Sequence, residues 1–168
     1  MFAIKNLASR IIAFEPDPGN YARLMANLHL NNLVGRITAH DLALGDRDGE
    51  VTLYEGARSN RGESTIAVPE QTPKQRTHLV KQVRFDDRYP MSAKSIVIKL
   101  DVEGYELQAL AGMERTLANN ACYVQVELYS DRLEDLKALF ARLGYRYLRA
   151  RNIDHYFTNM TEIGLVVR

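Results

Sequence analysis

The sequence predicts an α/β fold, a doubly wound and mostly parallel sheet. Two strand–turn–helix units and a set of acids at the strand ends carry that expectation. In Ser95–Leu110 (SIVIKLDVEGYELQAL) the β-branched run Ile96-Val97-Ile98 crosses Lys99 and Leu100 and stops at Asp101-Val102-Glu103-Gly104. Near-continuous apolar character over so short a span fits a strand buried on both faces. Leu107, Leu110 and Met113 then recur at helical intervals, with Glu103 and Glu106 in the first turn, where the helix dipole favours negative charge. Three carboxylates therefore gather at the carboxyl end of one strand, the edge where open α/β sheets bind ligands.

The second unit lies near the start. Arg10–Phe14 (RIIAF) reads as a short buried strand, stopped by Glu15-Pro16-Asp17-Pro18. Proline cannot donate to a ladder but suits the first turn of a helix, and Asp17 suits the N-cap. Tyr21, Leu24, Met25, Leu28 and Leu30 continue at helical spacing as far as Asn31-Asn32. Met1–Ser9 reads as the tail of an amphipathic helix through Phe2, Ile4 and Leu7.

Arg36–Leu44 is the next strand, with Asp41 near its end, followed by the turn Gly45–Gly49 and an alternating strand, Glu50–Tyr54. The DRDG run lacks the later oxygen ligands and terminal Glu of a calcium loop, so it reads as a hairpin turn and no metal is expected. Glu55–His78 is polar and irregular, with Arg58, Arg61, Lys74, Arg76 and His78. A loop of that length is either solvated surface or a substrate-facing lid. Leu79–Phe85 reads as a strand, Asp86–Ala93 as a connection, and Ala121–Tyr129 as a strand with Glu127 near its end. Asp131 can cap a helix whose apolar face is Leu133, Leu136, Leu139, Phe140 and Leu143, closed by Gly144. Tyr145–Arg151 and Gly164–Val167 are expected to form the closing antiparallel pair, joined by a polar loop from Asn152 to Thr161.

The 168 residues fit one domain, long enough to bury about 70% of the surface an unfolded chain exposes. A net charge of +1 gives no general attraction to nucleic acid or membrane. The single Cys122 excludes an internal disulfide and a cysteine zinc cluster and favours a reducing compartment. No apolar run approaches the roughly 20 residues of a membrane span, and Met1–Arg10 lacks the apolar core of a secretion signal. A soluble, cytoplasmic protein is expected. Glu15, Asp41, Asp101 and Glu127, on one sheet edge, would make a crevice for a ligand bearing hydroxyls and amines.

The run IIAFEPDPGNYARLMANLHLNN, then ALGDRDGEVTLY, then IVIKLDVEGYELQALAGM, closely resembles the FkbM family of S-adenosylmethionine-dependent methyltransferases, from about Arg10 to Tyr129. The resemblance implies a Rossmann-like class I fold, with a hairpin inserted after the family's third strand. It implies methyl transfer from S-adenosylmethionine, commonly to a hydroxyl oxygen of a sugar or natural product. Carried over by position, Glu15 would accept from the ribose hydroxyls and Pro16 would lie against the adenine. Asp41 and Leu42 would meet the adenine edge, and Asp101, Glu103 and Glu106 would line the methyl-transfer end. There they would hold the small-molecule acceptor and take its proton, with His40, His78 and Glu127 as rival bases.

One departure stands out. Such folds begin with a strand and a glycine-rich turn of the kind DxGxxxG, and no such motif precedes Arg10. The missing strand would lie between those ending at Glu15 and Asp101, leaving two rows of backbone groups unmatched. The expectation is therefore a shortened, N-terminally truncated member with an impaired cofactor site. The open edges raise the expectation of a homodimer. The alternative function is a non-catalytic or assembly module of the same fold. A dinucleotide oxidoreductase is disfavoured, since GxGxxG is absent and the KLDVEGYE junction has no role there.

Overall fold

A computed structural model describes residues 8–55, 64–66, 76–128 and 132–161. Residues 1–7 of the expected helix tail and the expected strand Gly164–Val167 lie outside the described residues, as does Asp131, while Ala8 and Ser9 are not helical. β1 (Ile11–Phe14) runs into α1 (Pro18–Leu30), with Pro18 in the first turn and Asp17 as N-cap. β2 (Ile37–His40) returns parallel to β1, in register from Ile11 with Ile37 to Phe14 with His40.

The stretch read as one strand, Arg36–Leu44, is two. After β2 the chain breaks at Asp41-Leu42, and β3 (Ala43–Leu44) joins a different sheet. There β4 (Gly49–Tyr54) pairs antiparallel with β5 (Thr77–Val83), and β3 pairs parallel with β5. β5 starts earlier than expected and ends at Val83, because Phe85 opens a single helical turn, α2 (Phe85–Arg88).

β6 (Ser95–Leu100) pairs parallel with β7 (Ala121–Glu127). Between them lie α3 (Glu106–Ala111) and α4 (Glu114–Asn119), where one helix was expected. The break falls at Gly112, whose α-carbon packs so closely on the Gly45 carbonyl oxygen that a Cβ would overlap it. α5 (Leu133–Arg142) ends at Gly144, in the left-handed region at φ 78°. β8 (Arg146–Arg151) then turns through Asn152 (φ 56°) directly into β9 (Asp154–Thr158). The expected polar loop is thus a strand. His155 and Phe157 alternate inward along it, and that alternation outweighs the polar neighbours.

Among the described residues the strands therefore form three sheets, two of them mixed, and not one doubly wound parallel sheet. Their orders are β1-β2, β3-β5-β4 and β6-β7-β9-β8. Among the described residues β1 and β6 pair with only one neighbour each, and not with one another. β6 is also not buried on both faces. Leu100 is buried and Ile96 and Ile98 pack on the main core, but Val97 is 58% exposed. That core sits where α3, α4 and α5 cover one face of the β6-β7-β9-β8 sheet. It includes Leu110, Leu117, Val124, Val126, Leu136, Phe140 and Phe157, with Phe140 and Phe157 stacked at 4.2 Å between centroids.

Candidate functional site

The carboxyl end of β1 is held by local hydrogen bonds. Glu15 N–H donates to the His40 carbonyl at 2.9 Å, carrying the β1–β2 ladder one step past the strand. Asp17 N–H donates to Glu15 Oε1 at 2.9 Å. Asp17 Oδ1 accepts from Gly19 N–H at 2.8 Å and Asn20 N–H at 2.9 Å, satisfying two of the donors that a helix start leaves open. Glu15 is half-buried. Burial pushes its carboxyl pKa up, against the Asp17 N–H, and the negative charges of Asp17 and Asp101 push it further. Asp101 is thus a close electrostatic neighbour of Glu15, although β1 and β6 share no ladder.

At the end of β6 the chain makes a tight turn. Glu103 lies at φ 51° and Gly104 at φ 94°, and only the glycine adopts such a backbone without cost. Glu106, 3% exposed, reaches back so that its Oε1 accepts the Gly104 N–H at 2.9 Å. Its carboxylate serves the turn. Asp101 is exposed, and its Oδ2 lies 2.6 Å from Lys99 Nζ. The same ammonium stands 3.9 Å from Glu127 Oε2. Burial works against the charge on Lys99, but the hydrogen bond to Asp101 and the charges of Asp101, Glu127 and Asp154 together raise its pKa. Lys99 was not singled out from sequence, yet strand alternation puts positions 99 and 101 on one side, which is the signal that finds it.

The remaining candidates divide. Asp41 is exposed at the end of β2 and Leu42 beside it is buried; Pro16 is half-buried next to Glu15. His40 faces α2: its Nε2 is 2.6 Å from the Tyr89 hydroxyl and its Nδ1 3.5 Å from Arg88 Nη2. Burial and then the Arg88 charge lower its pKa, keeping the ring neutral near pH 7. His78 Nε2 is 2.6 Å from Glu55 Oε1, within the β4–β5 hairpin. Both histidines that rivalled the acids as bases are therefore already engaged. Of the long polar loop, Arg58, Arg61 and Lys74 lie outside the described residues.

A short piece of that loop does reach the site. Thr65 pairs with Tyr54 through both backbone hydrogen bonds, at 2.8 and 3.0 Å. Ser64 Oγ donates to Asp17 Oδ2 at 3.0 Å, and Thr65 Oγ1 donates to the Glu103 carbonyl at 2.5 Å. These two hydroxyls connect the end of β1 to the end of β6. No periodicity marks them in the sequence, and long-range pairing alone gives them their place.

The residues fit a donor bearing ribose hydroxyls. Glu15 is half-buried and has no cation within ion-pair distance among the described residues, so its carboxylate is suited to neutral hydroxyl donors. No group of three or more His, Cys, Asp or Glu suited to a metal ion occurs among the described residues, and no helix there is long and apolar enough to cross a membrane.

Comparison with known proteins adds family to geometry. "Methyltransferase 1" of Beauveria bassiana (strain ARSEF 2860) is 27% identical over 124 residues, covering 63% of this chain and 49% of that protein. A crystal structure of a methyltransferase FkbM from Methylobacillus flagellatus KT superposes with a TM-score of 0.59 at 20% identity, covering 89% of this chain and 36% of that one. The chain thus spans about half the length of the curated relative and about a third of the crystallised one. The α/β fold is shared with the latter. The model of the methyltransferase FkbM domain matches residues 1–147, and the chain belongs to that family.

Proposed function

We propose that the chain is an S-adenosylmethionine-dependent methyltransferase acting on a hydroxyl oxygen of a small sugar-like or natural-product acceptor. The observation that carries this reading is that acids stand at the carboxyl ends of β1 and β6, Glu15 and Asp101, and that Ser64 and Thr65 tie those two ends together by hydrogen bonds to Asp17 and to the Glu103 carbonyl. Family membership implies a methyl donor, and the fit of Glu15 to ribose hydroxyls supports the sulfonium cofactor. When bound, that cofactor supplies an electrophilic methyl group.

The chain's own residues do the rest. Glu15 accepts from the ribose hydroxyls, while Pro16, Asp41 and Leu42 border the adenine. Asp101 would orient the acceptor hydroxyl and accept its proton during transfer. Lys99 holds that carboxylate in place before transfer. Glu103 holds the acceptor from the turn, and Glu106 shapes that turn. Most of the acceleration comes from holding the two reactants in line, since little covalent chemistry falls to the protein.

The test is transfer of label from methyl-tritiated S-adenosylmethionine to a panel of polyhydroxylated acceptors. Incorporation by the wild type that falls about a hundredfold or more in Asp101→Asn supports the role given to Asp101. Equal incorporation by the variant removes it. A second reading, a non-catalytic assembly module, is favoured because, among the described residues, β1 and β6 each pair with one neighbour only. A homodimer in solution with no label transfer to any acceptor would favour it.

A further inference from the structure

A file of hydrogen bonds runs from the end of β1 to the turn after β6. Asp17 N–H donates to Glu15 Oε1 at 2.9 Å, Ser64 Oγ donates to Asp17 Oδ2 at 3.0 Å, and the next residue, Thr65, donates from Oγ1 to the Glu103 carbonyl at 2.5 Å. One end is the carboxylate assigned to the donor. The other is the turn assigned to the acceptor. Ser64 and Thr65 are both half-buried, and Thr65 is anchored independently through its backbone pair with Tyr54.

The far end of the file is strained. Glu103 holds a left-handed backbone at φ 51°, a conformation that is costly for a non-glycine residue and persists only where its surroundings enforce it. The Thr65 hydroxyl, bonded to the Glu103 carbonyl, is one such restraint. The buried Glu106 carboxylate, bonded to Gly104 N–H, is another. The near end is loaded differently. Asp17 uses Oδ1 to cap α1, and Oδ2 receives Ser64. The strap therefore grips each half-site at a group that also sets local backbone geometry.

We infer that Ser64 and Thr65 are positioning residues that lock the donor half-site at Glu15–Asp17 to the acceptor half-site at Asp101–Glu103, so that the two are organised as one unit. This rests on the donor site proposed above and extends it. Neither hydroxyl needs to touch a ligand. Each acts through the residue it holds, and the backbone pair with Tyr54 keeps the strap in place when a hydroxyl is removed.

The distinguishing position is Thr65, whose hydroxyl bonds the acceptor side, yet whose loss should be felt by the donor. Calorimetric titration with S-adenosylmethionine is carried out on the wild type, Ser64→Ala, Thr65→Val, Thr65→Ser and the Ser64→Ala/Thr65→Val double variant. Thr65→Val is expected to weaken binding about fivefold, the scale of one lost hydrogen bond. Thr65→Ser, which restores the hydroxyl, should stay within about twofold of wild type. Because both hydroxyls belong to one file, the double variant should bind little worse than the weaker single variant, and not with the product of the two losses. Unchanged affinity in Thr65→Val, equal loss in Thr65→Ser, or multiplicative losses in the double variant would each overturn the inference while leaving the donor site intact. A wild type that binds no S-adenosylmethionine overturns the donor site itself, and the inference with it.

Discussion

Lys99 Nζ lies 2.6 Å from Asp101 Oδ2, two residues apart at the end of one strand, and the ammonium also approaches Glu127 at 3.9 Å. A carboxylate tied to a lysine is held in one place until a reactant displaces the contact. The pair is half-exposed, so its energetic weight is small and its geometric weight is the larger. Burial lowers the Lys99 pKa and the hydrogen bond to Asp101 raises it, so Asp101→Asn should lower the midpoint at which the ammonium titrates. Nitrogen-15 detection of the lysine ammonium follows that midpoint. No movement would mean that Asp101 has no hold on Lys99 in solution.

Asp86 is the buried acid that organises the helical layer. It is 2% exposed, and it accepts from Arg115 N–H at 2.7 Å, Thr116 N–H at 2.8 Å and Thr116 Oγ1 at 2.6 Å. Asp86→Ala strands three donors beside the start of α4 and should cost about 3 kcal/mol in urea denaturation. Asp86→Asn, which keeps one acceptor, should lose less. Equal loss in the two variants would show that packing volume, not hydrogen bonding, sets the cost.

Gly112 separates α3 from α4 and rests against the Gly45 carbonyl. Gly112→Ala cannot be absorbed by a flexible side chain, because the obstacle is backbone. A loss of about 2 kcal/mol or more is expected, read as a lowered thermal midpoint. The opposite result, stabilisation through higher helix propensity, would place Gly45 elsewhere.

Acid should destabilise the fold in a definite window. Burial lowers the pKa of both His40 and His155, reinforced by Arg88 in one case and Lys137 in the other. Above the ordinary histidine pKa of about 6.5, both states are neutral and neither group contributes. As pH falls through that value the unfolded chain binds protons first, so stability drops until the folded pKa values are passed. Glu15 has the opposite sign. Its raised pKa costs stability at neutral pH and returns it as pH falls through the folded value. Urea midpoints should therefore be flat above about pH 7.5 and decline below about pH 6.5. In Glu15→Gln the midpoint should be higher at neutral pH and its acid decline steeper. A midpoint that rises between pH 7 and 5.5 in the wild type would contradict the histidine assignment.

Much of the fold was legible because its signals are local. β1, α1 and α5 follow from apolar spacing and from Pro18, Asp17 and Gly144 at the element ends. The acids proposed for the site were singled out on the same local grounds, since each stands near where a strand period stops. What escaped depends on distant partners. Asp41-Leu42 splits one apolar run because β2 and β3 serve different sheets. β9 hid among polar residues because two of its three buried positions, His155 and Thr158, are themselves polar and only Phe157 is a large apolar side chain among them. Val97 looked buried because three β-branched neighbours cannot reveal that one face has no cover among the described residues. Ser64 and Thr65 carry no pattern at all; their place is set by Asp17, some 47 residues away, and by Glu103, 38 residues away.

The central claim is that Glu15 and its neighbours hold S-adenosylmethionine. Titration of the purified chain with that cofactor by calorimetry, wild type beside Glu15→Ala, tests it most directly. The expected result is saturable binding by the wild type, weakened at least about tenfold in the variant, the scale of losing hydrogen bonds to a charged group. No heat from the wild type at millimolar cofactor, or equal affinity in both proteins, would contradict it.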